Sequence, residues 1–242
     1  MPFVHLRSHT EYSVVDGTLR IDDMADLAAA DKQPAMAITD LNNLFGAIKF
    51  YKAARKKGVQ PIIGADIWLE DETGAGATRP PSRLLLLVQN RTGYLNLCEL
   101  LAKGWTTNAQ RAQAHVKWEW LQPHAEGLIA LSGADAGAVG QALLMGDHGR
   151  AAQVAKQLAD IFKGRFYIEL QRAGLPTHEA HVRAAVPLAA ELGLPVVATH
   201  PIQFATPDDF EAHEARVCVA EGETLGNPRR IKRFSQIGRA HV

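Results

Sequence analysis

"AMAITDLNNLFGAIKFYKAARKKGVQPIIGADIWL", residues 35–69, holds three patterns in succession. A short apolar run (35–40) gives way to a segment with apolar residues three and four apart (46–58), and a second apolar run follows (61–69). The first and last suit buried strands, and the middle suits a helix with one apolar face. Gly58 stands where a helix would stop, because glycine enters the left-handed region without a Cβ penalty. Strand, helix, strand is the unit that builds parallel sheets with helices over their faces.

The same alternation extends in both directions. "FVHLRS" (3–8), "RLLLLVQ" (83–89), "GLIALSG" (127–133), "RFYIELQ" (165–171) and "PVVATH" (195–200) read as further strands, making seven. "IDDMADLAAADK" (21–32), "TGYLNLCELLAKGW" (92–105), "HGRAAQVAKQLADIF" (148–162) and "HEAHVRAAVPLAAELG" (178–193) have helical periodicity. Gly104 and Gly193 are read as helix stops like Gly58. The class is therefore α/β with parallel strands and helical crossovers. A (βα) barrel and a doubly wound sheet both fit. No glycine-rich nucleotide loop follows the first strand, which favours the barrel. "EDETGAGATRPPS" (70–82) lacks any period and is expected to be an exposed mobile loop. There is no internal repeat.

The 242 residues suffice for one large domain, and 47% apolar composition suffices for its core. Lys+Arg and Asp+Glu balance at 26 each, so the chain exerts no global pull on nucleic acid or anionic membrane. Cys98 and Cys218 are too few and too isolated for a disulfide framework or zinc cluster. With no signal-like start and no long apolar window, the expectation is a soluble cytoplasmic chain without a membrane partner.

In a barrel, chemistry sits at the C-terminal ends of strands. His9, Asp16, Asp40, Asp66, Glu169 and His200 collect at such positions and mark a cleft. On an extended strand His5, Arg7 and His9 would share a face. Paired histidines suit a metal, but Arg7 does not. At an intermediate dielectric, a divalent ion ~5 Å from a guanidinium is repelled by several kcal/mol, and arginine cannot shed its proton in response.

Taken in order, "FVHLRSHTEYSVVDG" (3–17), "AMAITDLNNLFGAIKFY" (35–51), "PIIGADIWL" (61–69), "RLLLLVQNRTGYLNL" (83–97), "EGLIALSG" (126–133) and "GLPVVATHPIQF" (193–204) resemble one family. It is the PHP (polymerase and histidinol phosphatase) domain family, in the branch found at the N-terminus of bacterial replicative DNA polymerases. The resemblance runs from about residue 3 to 233, and "KFY", "TGY" and "DFEAHEARVCVAEGETL" make it specific. It implies a distorted seven-stranded (βα) barrel over residues 1–235. Metal-binding members hold divalent ions with histidines and acids. His9 and Asp16 match that pattern, and Asp66 is a shortened glutamate. Arg7, Leu41, Arg83, Ala134, Pro201 and Gln203 stand where the family has ligands. The resemblance thus implies a degenerate site of the proteobacterial type, vestigial at His9 and Asp16 and catalytically silent.

Without metals, Asp16, Asp40 and Asp66 would repel one another and their pKa values would rise. Arg7 and Arg83 can replace the cations, so an ion-pair network of Arg7, Asp40, Asp66 and Arg83 is expected in place of metal. The resemblance further implies a parent polymerase whose Mg²⁺-dependent domain lies beyond this stretch, which itself needs no cofactor. Its implied partners are the rest of that subunit, the proofreading exonuclease subunit, the replisome and, through the parent, DNA. The alternative is a metal-dependent phosphoesterase.

Other features read plainly. "KAARKKG" (52–58) is a basic helix end that suits the helix dipole, and "PDDFEAHEARVCVAEGE" (207–223) is a helix opened by Pro and Asp. His115, His124, His148, His178 and His181 show no ligand spacing. The tail "NPRRIKRFSQIGRAHV" is basic and then featureless. Its last residues, "IGRAHV", resemble a translated sequencing adapter, so 236–242 are expected to be non-native in a truncated chain.

Overall fold

Residues 3–70, 80–110 and 113–227 are described by a computed structural model. Most of the expected loop at 70–82 and the tail from 228, including 236–242, lie outside the described residues. The first elements are α1 (Ile21–Ala30), β1 (Ala35–Ile38), α2 (Ala47–Lys56), β2 (Gln60–Leu69), β3 (Ser82–Val88) and α3 (Arg91–Thr107). Two-residue strands β4 (Ala109–Gln110) and β5 (Gln113–Ala114) precede α4 (Trp118–His124) and β6 (Leu128–Leu131). Then come α5 (Ala138–Leu144), α6 (His148–Ile161), β7 (Phe166–Gln171), α7 (Pro176–Leu192), β8 (Val196–Thr199) and α8 (Phe210–Glu221). The class is α/β, as the alternation of periods requires.

Two compact units share these elements. The first comprises Met1–Ile63, Ala173–Leu175 and His200–Val242. In α1 the buried positions Ile21, Met24, Ala25 and Ala28 follow the helical period. Ile21, Met24 and Ala28 meet Met36 and Ile38 of β1 and Phe50 and Ala54 of α2 in one cluster, with Leu19, Val59 and Ile202. Each large apolar side chain buried there contributes about 1.5–3 kcal/mol. β1 pairs in parallel with the first half of β2, Ala35 opposite Gln60 through Ile38 opposite Ile63. The predicted first strand, 3–8, forms only isolated bridges. His5 bridges Met36, Ser8 bridges Ile202, and Thr10 bridges Leu19. The segment is nonetheless held on both sides. The Ala37 and Thr39 amides donate to the His5 and Ser8 carbonyls, and the Ile202 amide donates to the Arg7 carbonyl.

The second unit comprises Gly64–Arg172 and Pro176–Thr199. Here the expectation of parallel strands fails at β3 alone of those predicted. β3 runs antiparallel to the second half of β2 and antiparallel to β6. The physical reason is the short separation: β2 ends at Leu69 and β3 begins at Ser82, and strands that near in sequence readily pair antiparallel, whereas a parallel pair needs a longer crossover. β6–β7 and β7–β8 are parallel, as predicted. Leu84, Leu85 and Leu86 are all buried, so both faces of β3 are covered.

Helix boundaries were legible with one exception. Gly58 and Gly193 have φ of 78° and 63° and follow helix ends. Gly104, read as a stop, lies buried inside α3, where it faces the His115 carbonyl. It is there for close packing. The short helices α4 and α5 had no sequence forecast.

Candidate functional site

In the first unit the site begins at the turn after Thr10. The Ser13 amide donates to the Thr10 carbonyl and the Gly17 amide to the Ser13 carbonyl, so residues 10–17 curl tightly. A Cβ on Gly17 would lie 2.0 Å from the Thr10 oxygen, so no other residue fits. This curl brings Asp16 back onto His9. His9 Nδ1 and Asp16 Oδ1 are 2.9 Å apart, and the Ser13 hydroxyl donates to the same oxygen at 2.7 Å. The second oxygen, Oδ2, accepts from Gln203 Nε2 at 3.2 Å. His213 Nε2, from α8, donates to the Asp16 carbonyl at 3.1 Å.

Asp40, at the end of β1, is buried beside them. Its oxygens accept from the Thr10 amide at 2.5 Å and the Thr10 hydroxyl at 2.9 Å. Burial pushes its pKa up to about 6, opposed by the Thr10 hydrogen bonds and by His9, while the nearby Asp16 charge adds to the rise. His5, Arg7 and His9 are all buried. The His5 ring meets Phe3 edge-on at 4.9 Å and His200 at 6.3 Å.

The second unit holds Asp66 and Arg83. The antiparallel register sets Trp68 opposite Arg83, with Asp66 two residues before Trp68 on the same face. Arg83 Nη2 donates to Asp66 Oδ2 at 2.5 Å, and the guanidinium lies 4.5 Å from the Trp68 ring. Asp66 is fully buried. Glu169, on β7, is also fully buried and well satisfied. It accepts from the Gly133 amide, from Gln171 Nε2 and, at 2.5 Å, from the Thr199 hydroxyl. Such saturation marks a structural acid.

The donor set does not fit a metal centre. Among the described residues no group of three or more His, Cys, Asp or Glu side chains is placed to hold an ion. His9 and Asp16 are hydrogen-bonded to each other, and both Asp16 oxygens are occupied by protein donors. Leu41, Ala134 and Pro201 carry no side-chain lone pair. Where the side chain of Leu41 offers nothing, its amide donates to Ser13 Oγ at 3.1 Å, completing the support of Asp16.

Sequence reasoning did not find three of these contributors. Gln203, noted only as a lost ligand, is a donor to Asp16. His213, inside a helix read as plain, reaches the same residue. The third is the α7 pair, His178 and His181, three residues apart and both buried. His178 Nε2 lies 3.7 Å from Asp135 Oδ1, and burial holds both histidine pKa values below the usual range. The i, i+3 spacing was the available signal, since it places both on one helix face.

A sequence model of the PHP domain matches residues 5–173, well over half the chain. This chain belongs to the PHP domain family. It is 45% identical over 233 residues to the DNA polymerase III subunit alpha of Pseudomonas aeruginosa, and 41% identical over 234 residues to that of Escherichia coli K12. Each match covers 96% of this chain and 20% of the relative, so this PHP domain spans about a fifth of the length of those subunits. Among solved structures, an amidohydrolase from Chromobacterium violaceum superposes with a TM-score of 0.52 at 12% identity, over 88% of this chain and 96% of its own. A two-domain protein from Bacteroides vulgatus, described as containing a predicted PHP-like metal-dependent phosphoesterase, gives 0.50 at 13% identity, over 83% and 52%. At such identities the likeness concerns the fold alone. No helix among the described residues is long and apolar enough to cross a membrane.

Proposed function

We propose that this PHP domain is the N-terminal domain of a DNA polymerase III alpha subunit, and that it acts there as a non-catalytic scaffold. The supporting observation is that the alpha-subunit similarity runs the whole length of a domain whose ligand positions hold hydrogen-bonded pairs. Arg83 on Asp66 gives the buried acid a permanent counter-charge, where the family pattern has a histidine and a glutamate as ligands. Arg7, buried in the first unit like Asp40, is assigned the same task toward the acids of that unit. On this reading the parent subunit synthesises DNA on a template with Mg²⁺ bound elsewhere in its chain. The domain packs on the polymerase body and carries the proofreading exonuclease subunit, as a cytoplasmic component of the replisome.

Metal analysis of the purified chain, paired with a p-nitrophenyl phosphate assay in zinc or manganese, tests this reading. The expected result is substoichiometric metal, no turnover, and co-elution with the exonuclease subunit. Stoichiometric metal with turnover would establish a phosphoesterase instead.

A further inference from the structure

The outer face of α2 is an apolar ridge left bare. Phe45, just before the helix, is 70% exposed, and Ile48 and Tyr51 are 69% and 52% exposed. Spaced by three, they line one side of the helix, while Ala47, Phe50 and Ala54 bury the other. The helix therefore needs none of the three for its own packing. The ridge continues onto its neighbours. Lys49 pairs with Glu11, tying α2 to the loop that carries the exposed Val14 and Val15. Arg216 of α8 donates to the Glu11 and Val14 carbonyls, and one turn further along α8 lies Val219, also exposed. Exposed apolar residues this close together mark an interaction surface.

Charge specifies what would cover it. From Ala47 to Lys57 the chain carries Lys49, Lys52, Arg55, Lys56 and Lys57 and no acid. Lys49 and Lys57 are engaged by Glu11 and Asp26. Lys52, Arg55 and Lys56 face solvent at the far end of the ridge. The helix dipole accounts for basic residues in the last turn, but not for the aromatic and aliphatic residues before them. Nucleic acid would use the bases and aromatics, and would leave Ile48, Val14 and Val15 without a role. An apolar polypeptide segment with acids at one end uses all of them.

We infer that this ridge seats a segment of the polypeptide that, in the alpha-subunit relatives, lies outside the fifth matched by this domain. The inference rests on the proposed membership of such a subunit. The segment places apolar side chains against Phe45, Ile48 and Tyr51, and carboxylates against Lys52, Arg55 and Lys56.

The test replaces the matched region of the Pseudomonas aeruginosa subunit with this chain and compares the chimera with the 242-residue chain alone. Ile48→Cys and, separately, Phe45→Cys are alkylated by maleimide in each, with site-resolved mass spectrometry as readout. The expected result is alkylation at least ten-fold slower in the polymerase-active chimera, partly restored when Lys52→Glu and Arg55→Glu are added. Equal rates in an active chimera overturn the surface assignment and leave the membership intact. Protection of the isolated chain that grows with its concentration assigns the ridge to a second copy. Protection that requires added single-stranded DNA assigns it to nucleic acid. Either result overturns the inference. An inactive, unfolded chimera overturns the membership reading and the surface with it.

Discussion

Removing the guanidinium from Arg83 takes away the cation that contacts Oδ2 of the fully buried Asp66 carboxylate. At the 2.5 Å contact and an effective dielectric of 20, the Coulomb attraction is about 7 kcal/mol. Desolvation of both groups offsets most of it in the intact pair. Breaking the pair does not recover that cost, because Asp66 stays buried. Arg83→Met should therefore lose about 3–5 kcal/mol at pH 7. Asp66→Asn should lose less, because the Arg83 side chain is 11% exposed and can reach water. The double variant Asp66→Leu/Arg83→Met should return to within about 1 kcal/mol of the parent, since an apolar pair has no stranded charge. Urea unfolding followed by both tryptophan fluorescence and circular dichroism gives each free energy and checks that the two probes coincide. A second signature is pH. In Arg83→Met, Asp66 loses a cation that favoured its charged form, so lowering the pH should restore part of the lost stability as the acid takes up its proton. If Arg83→Met costs under about 1 kcal/mol and shows no such recovery, the guanidinium is not balancing a buried charge, and its role as a stand-in for metal fails.

Asp40 titrates in the same sense in the intact protein. With its pKa raised from 3.8 to about 6, the folded state binds the proton more tightly. Its contribution is therefore full below pH 3.8 and falls by about 3 kcal/mol as pH climbs past 6. Asp40→Asn should flatten that limb in a pH series of urea midpoints, and an unchanged limb would contradict the assignment. His178 and His181 act in the opposite direction. Held neutral by burial, against the opposing pull of Asp135 on both, Glu179 on His178 and Glu169 on His181, they stabilise the fold above the usual histidine pKa of about 6.5, and that stability drains as pH falls below it. His181→Leu should weaken the acid dependence of thermal unfolding, and an identical acid limb would exclude the pair as its source. Gly17→Ala drives a methyl into the Thr10 carbonyl and should cost several kcal/mol. A variant with the parent's melting temperature would show that the 10–17 curl is not built as described.

The α/β class, most helices and six of the seven expected strands were legible because each rests on local chemistry. Burial at Ala47, Phe50 and Ala54 follows a period of 3.6 that nothing distant alters. Gly58 and Gly193 end helices through their own backbone freedom. The loss of Leu41, Ala134 and Pro201 as ligands was equally visible, since a side chain without a lone pair has none in any fold. The reversed direction of β3 was not legible. It depends on how β2 reaches β3, and only the antiparallel register places Arg83 across from Trp68 and beside Asp66. Nor could the sequence reveal that Gln203, 187 residues from Asp16, would donate to its carboxylate. Periodicity, capping and the presence of donor atoms act within a few residues, so sequence carries them. Which charge meets which depends on contacts between segments far apart in the chain, and only folding brings those together.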